Sequence, residues 1–169
     1  RAKIIKAENK LKQKAGYGEI AERLVDSAEK LIQTNQVNFQ EIAMPILESL
    51  RGAISKSKNS GNLDEMLHEL INPVMELKAN GPMFKYHLVG NLASVMLSFL
   101  EHIDSLDSDA VEIIEAHEKT LSAIIGKGIK GDGGPLGTQL VQELEDACAR
   151  YYRKNPDRFK KSPRVTPQS

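Results

Sequence analysis

Leu88-Val89-Gly90-Asn91-Leu92-Ala93-Ser94-Val95-Met96-Leu97-Ser98-Phe99-Leu100-Glu101-His102-Ile103 is the stretch that decides the fold. Its apolar side chains recur at three- and four-residue steps and cover almost the whole circumference of a helix turning roughly 100° per residue. A helix that is apolar nearly all round has no stable place on a surface. The stretch therefore predicts a central helix with other helices packed about it. Gly90 and Ala93 offer places where a neighbouring backbone can come close.

The helical period continues on both sides. It predicts a first helix near residues 18–34, with Ile20, Leu24, Val25, Ala28, Leu31 and Ile32 on one face. A second starts at Asn38, where Asn38-x-x-Glu41 has capping-box spacing, and runs to about Lys58, with Pro45 bending it or shifting its start. A third spans about 62–79 and repeats the cap chemistry in Asn62-x-x-Glu65. The central helix should then open after Gly81-Pro82, because proline suits a first helical turn, and extend to about Leu106. A fifth helix begins near Asp107 to Asp109 and ends near Gly126, and a sixth follows Pro135 and reaches about Lys154. No run alternates with period two for long. The expectation is an all-α, mostly antiparallel bundle of five or six helices over residues 17–154. A basic linker or N-terminal extension at 1–16 precedes it. A disordered basic tail at 155–169 follows, where Pro156, Pro163 and Pro167 stand among bases and hydroxyls.

The chain has 169 residues and no net charge, but the charge is unevenly placed. Residues 1–14 carry +5, residues 150–164 carry +6, and the body between them carries −11. Basic ends can bind nucleic acid or acidic membranes, or pair with the acidic body. No aromatic interleaving or groove-reading motif accompanies the bases, which argues against a nucleic-acid partner. No apolar run approaches the roughly 20 residues that span a bilayer, so no membrane insertion is expected. No signal-peptide pattern opens the chain. The first residue is Arg1, so a fragment or processed form is expected. Cys148 is the only cysteine, which excludes a disulfide framework and makes a cytoplasmic location the natural one. In Leu144-Glu145-Asp146-Ala147-Cys148 it occupies the position of a small buried hydrophobe.

His68 is the first candidate for chemistry. On the third predicted helix Leu63, Leu67, Leu70, Ile71, Val74 and Leu77 form one stripe, and His68 falls off it beside Asp64, Asn72 and Met75. An exposed imidazole with an acidic neighbour, Glu69, can accept a phosphoryl group, whereas the plain alternative is a surface histidine. His117 shares a face with Ala110, Ile113, Ile114, Leu121 and Ile124 and reads as a partly buried core histidine. Glu112, Glu115 and Glu118 read as a solvated face, with Glu115 and Lys119 spaced for an ion pair. Glu65-x-x-His68 occurs once, with no second such pair to complete a bundle metal site, so neither metal nor any other cofactor is expected.

Residues 126–134 hold five glycines, which would let a backbone approach an anion. No strand precedes them and Gly126-Lys127-Gly128 is not a P-loop, so an inter-helix loop is the simpler reading. Residues 77–86 join two apolar helices through Asn80-Gly81-Pro82 and then present Met83, Phe84 and Tyr86. Either the aromatics cap the core, or Asn80, Met83, Phe84 and Tyr86 form a partner-docking corner.

Two resemblances bear on function. Leu67-His68-Glu69-Leu70-Ile71-Asn72-Pro73-Val74 resembles the phosphoacceptor helix of sensor histidine kinases. Leu67, Ile71 and Asn72 stand where that motif has Ser and Arg-Thr, and no strands of an ATP-binding domain follow. The likeness thus implies phosphate relay through His68, with Glu69 as its acidic aide, rather than autokinase activity. Residues 1–14, 72–84 and 144–148 together resemble the helical C-terminal regions of alphaproteobacterial CheY-like response-regulator proteins. That resemblance implies a cytoplasmic signalling or output module with a receiver domain ahead of Arg1, and it assigns no active-site residue. The functional expectation is a non-catalytic bacterial signal-transduction module acting by protein–protein interaction. Its partner would be a receiver domain or a second copy in a homodimer. The alternative is a histidine phosphotransfer domain.

Overall fold

The computed structural model describes residues 38–59 and 61–158, together with Arg23, Leu24, Asp26 and Ser27. The chain divides into two units, Arg1–Val37 and Asn38–Ser169. In the first, the four described residues are helical and the Ser27 hydroxyl donates to the Arg23 carbonyl at 2.6 Å. The rest of the predicted 18–34 helix, the basic extension at 1–16 and the tail from 159 lie outside the described residues.

The second unit is an all-α bundle with no β-strand among the described residues. Its helices are α1 (Phe39–Ser57), α2 (Leu63–Met83), α3 (His87–His102), α4 (Ser108–Gly126) and α5 (Gly134–Lys154), followed by a 3₁₀ turn at Pro156–Arg158. That turn falls within the stretch read as tail. None of the helices is long and apolar enough to cross a membrane.

Side chains set the helix starts. Asn38 accepts from the Gln40 N–H at 3.2 Å, and α1 then runs unbroken through exposed Pro45. Asn62 accepts from the Glu65 N–H at 3.3 Å while its own side-chain amide donates to the Glu65 carboxylate at 3.2 Å, so the two side chains brace the helix start. Asp107 accepts from the Ala110 N–H at 2.8 Å.

The predicted break at Gly81-Pro82 is displaced. α2 continues through both residues to Met83, and the chain turns on Phe84, Lys85 and Tyr86. The Lys85 N–H donates to the Pro82 carbonyl at 3.0 Å and the Tyr86 N–H to the Gly81 carbonyl at 2.8 Å, with Lys85 at φ 67°. This is a Schellman closure with lysine in the left-handed position that glycine usually fills. The glycines serve packing instead. Gly81 is buried against Val89, and a Cβ on Gly90 would lie 2.7 Å from the Pro82 ring, so the α2–α3 hairpin closes tightly because both lack side chains. α3 also ends sooner than expected, at His102 rather than Leu106.

α3 packs against α2, α4 and α5, and α1 closes the bundle against α2 and α4. Gln40 and Arg51 of α1 reach Ile125 and Glu118 of α4 respectively, so these two helices are antiparallel. α5 runs parallel to α3: Leu88 lies near Gly133 and Gly137, and Phe99 meets Tyr151 and Tyr152. The core centres on α3 and includes fully buried Leu92, Met96, Phe99 and Leu100. Cys148 is buried as expected, and burial pushes its thiol up to about 12.

The glycine-rich connection is built into the bundle. The Leu88 N–H donates to the Gly131 carbonyl at 2.8 Å, and the Gly131 N–H donates to the Lys85 carbonyl at 2.6 Å. Tyr86 gives α3 no side-chain cap, so the loop carbonyl takes that role. Gly128, Gly131, Gly133 and Gly134 all have positive φ, and a Cβ on Gly137 would overlap the Asp132 carbonyl oxygen. Backbone geometry thus accounts for these five glycines, whereas nothing in the structure explains Gly126.

Candidate functional site: the outer face of α2

The inner face of α2 is fixed by Leu67, Leu70, Ile71, Val74 and Leu77, all buried. Opposite it, His68, Asn72, Met75, Ala79 and Met83 are all exposed. Their steps of three and four residues put them in one stripe, about 22 Å long at 1.5 Å per residue. Glu65 and Glu76 are exposed on the same outward side, each one helical turn from a member of the stripe, so the face mixes apolar, polar and acidic groups. Met75 is 46% exposed and Met83 76%, two of the few large apolar side chains left to solvent among the described residues.

One residue from each of the two sequence candidates, His68 and Met83, is exposed on this surface. His68 stands toward its N-terminal end and Met83 at its C-terminal end. The His68 ring is exposed and its Nδ1 lies 3.2 Å from the Asn72 amide nitrogen, one helical turn away. Glu69 turns from the histidine and pairs with Lys56 of α1 at 3.0 Å. At the corner, the Asn80 amide donates to the Glu76 carbonyl at 2.9 Å. Phe84 is half-buried and stacks on Phe39, with ring centroids 5.5 Å apart. Tyr86 is buried, with its ring 4.7 Å from Phe39. Phe84 and Tyr86 thus cap the core, and Met83 alone of this group projects into solvent.

Other polar groups are tied into the scaffold. Glu118, read as part of a solvated face, is buried and accepts from Arg51 Nε at 2.7 Å and from the Ser122 hydroxyl at 2.5 Å. The bond to Glu118 raises the Arg51 pKa. Glu115 pairs with Lys58 at 2.6 Å, which lowers its pKa. Asp107 receives the Tyr151 hydroxyl at 3.2 Å and the Arg158 guanidinium besides capping α4. Burial pushes the Asp107 carboxyl up, but the Ala110 N–H, Arg158 and Tyr151 together hold it below its usual range. His117 is fully buried; its Nδ1–H donates to the Ile113 carbonyl at 2.9 Å and its Nε2 has no partner. Burial lowers its pKa, so the ring is held neutral.

A cleft of about 380 Å³ between α4 and α5 is lined by Ile113, Ala147, Arg150 and Tyr151, with Asp109 and Lys154 paired across it at 2.5 Å. Glu112 also lines it. Among the described residues, no group of three or more His, Cys, Asp or Glu is placed to hold a metal ion.

The sequence pattern placed His68 off the core stripe but did not reveal its bond to Asn72, although the i, i+4 spacing would have allowed it. It also missed the tie from Glu69 to Lys56, which needs the α1–α2 register. Comparison of the chain with protein-family models, with characterised proteins and with solved structures returns no match.

Proposed function

We propose that the chain is a non-catalytic signal-transduction module that works by protein–protein interaction, the output or regulatory region of a bacterial two-component response regulator. The observation that supports it is the exposure of two methionines, Met75 and Met83, on the outer side of α2. Methionine side chains adapt to the surface they meet, so a partner can seat on them. Fully covering Met75 or Met83 contributes on the order of 1.5–3 kcal/mol each. The test is calorimetric titration of the purified chain with a panel of CheY-like receiver domains, each with and without acetyl phosphate. Binding should occur to a receiver in one of its two states, and Met75→Glu should weaken it at least about tenfold, or about 1.4 kcal/mol. Failure of every receiver to bind, or binding that ignores Met75→Glu, rejects the reading.

The exposure of His68 favours a second reading, phosphate relay. With the Asn72 amide oriented so that its oxygen accepts Nδ1–H, Nε2 presents its lone pair to solvent. Nε2 would attack the phosphorus of a receiver's aspartyl phosphate. An N–P bond forms, the P–O bond to the aspartate breaks, and the carboxylate leaves as the anion. Incubation with a labelled phospho-receiver should then yield acid-labile label that His68→Gln abolishes. Absence of label with several receivers sets relay aside.

A further inference from the structure

We infer that the basic tail beyond Arg158 lies as an extended strap in the groove between α3 and α5, with the ring of Phe159 seated among the groove's apolar side chains. Backbone contacts set where the tail starts. The Asp104 N–H donates to the Arg158 carbonyl at 3.3 Å, so the chain leaves its last described turn alongside the C-terminal end of α3. Ile103 is extended there, at φ −74° and ψ 148°, and stands in an isolated β-bridge. No other described residue forms a bridge, so its partner lies outside them. An antiparallel bridge that contains the Asp104–Arg158 bond sets residue 159 opposite Ile103. From that point the chain runs back along α3.

The groove fits the residues that follow. It is a cleft of about 360 Å³ with Val95, Phe99, Cys148 and Tyr152 in its walls, exposed Ser98 at its edge and Glu145 as its one charged lining residue. The tail offers Phe159 and then Lys160, Lys161 and Arg164. The clefts along α4 each present a cation, Arg150 or Lys58, and would repel that sequence. The α3–α5 cleft presents an acid alone. Length agrees as well. From Ile103 back to Ser94 is about 14 Å along α3, which about four or five extended residues cover, so residues 159–163 span the groove. Pro163 also biases Ser162 toward extended backbone. The strap is an intramolecular cover, and a partner for this groove must first displace it.

Disulfide trapping in the full chain tests this, in a Cys148→Ser background. Lys161→Cys is combined either with Ser98→Cys in the groove or with Ser108→Cys, which adjoins the Asp107 that Arg158 holds and so lies as near the start of the tail. Ser98 and Ser108 are both exposed, and far-UV circular dichroism checks that the variants stay helical. Each closure is measured as an effective concentration against glutathione. The Ser98 pair should exceed the Ser108 pair at least about tenfold. Phe159→Ser should bring it most of the way down to the Ser108 value, and Glu145→Lys should lower it about two- to fivefold. Equal values for the two pairs, a higher value for the Ser108 pair, or a Ser98 pair unmoved by Phe159→Ser or by Glu145→Lys each overturns the inference.

Discussion

α3 and α5 lie side by side and parallel, yet they are held in different ways. α3 buries nine of its sixteen residues, whereas α5 buries four of twenty-one. α3 is fixed along its length by apolar packing. α5 has a narrower apolar contact, through Leu144 and Cys148 with Leu140 and Val141 beside them, and is also tied at its ends. At the start, Gly133 and Gly137 let the chain pass against Leu88 and the Asp132 carbonyl. At the finish, Tyr151 and Arg158 converge on Asp107 while Lys154 meets Asp109. The contrast teaches that a helix can belong to a core through a continuous face or through a narrow contact and two fastenings. The second kind can open locally without global unfolding.

Substitutions should separate the two modes. Phe99→Ala removes a buried ring of α3 that meets both Tyr151 and Tyr152, and should cost about 3–5 kcal/mol in chemical denaturation. Gly137→Ala drives a methyl into the Asp132 carbonyl at the first fastening and should cost about 1–3 kcal/mol. Asp107→Ala removes the α4 cap and the second fastening together. It should cost about 1–2 kcal/mol, and hydrogen exchange should quicken in the last turns of α5 more than in α3. Equal acceleration in both helices would erase the distinction drawn here. Lys85→Gly should stabilise the protein by about 1 kcal/mol, because the left-handed position no longer opposes a Cβ.

Acid should act on two groups in succession. His117 has a folded pKa below its unfolded value, so its neutral form favours folding above about pH 6.5, and that contribution fades as pH falls toward the folded pKa. Asp107 is likewise lowered, and its contribution is present above about pH 3.9 and lost as pH falls through the folded value. Asp107→Asn keeps a capping side chain but should flatten only the more acidic limb of a melting-temperature profile. If both limbs persist unchanged, the Tyr151 and Arg158 contacts contribute nothing measurable.

Much of the scaffold could be read from spacing alone. The all-round apolar run of α3, the Asn62–Glu65 pair and the cap at Asp107 are local signals, and local hydrogen bonds and packing obey them. The end of α2 could not be read. Gly81-Pro82 carries the ordinary signature of a break, but the two glycines of the hairpin serve interhelix approach and a lysine takes the left-handed site. Burial of Glu118 was illegible for a different reason: it needs Arg51, which arrives from 67 residues away. The outer face of α2 was half legible. Periodicity put His68 off the core, but only the helix running on to Met83 joined the histidine and the exposed methionine into one surface.

Cys148 gives the protein a built-in gauge. It is the only thiol in the chain, it sits on the inner face of α5, and burial suppresses its ionisation. Cys148 is only 5% exposed at the floor of a cleft between α3 and α5, so an aromatic disulfide reagent should react faster as that helix lifts. Loosening either fastening should hasten the reaction, and no introduced label is needed to see it.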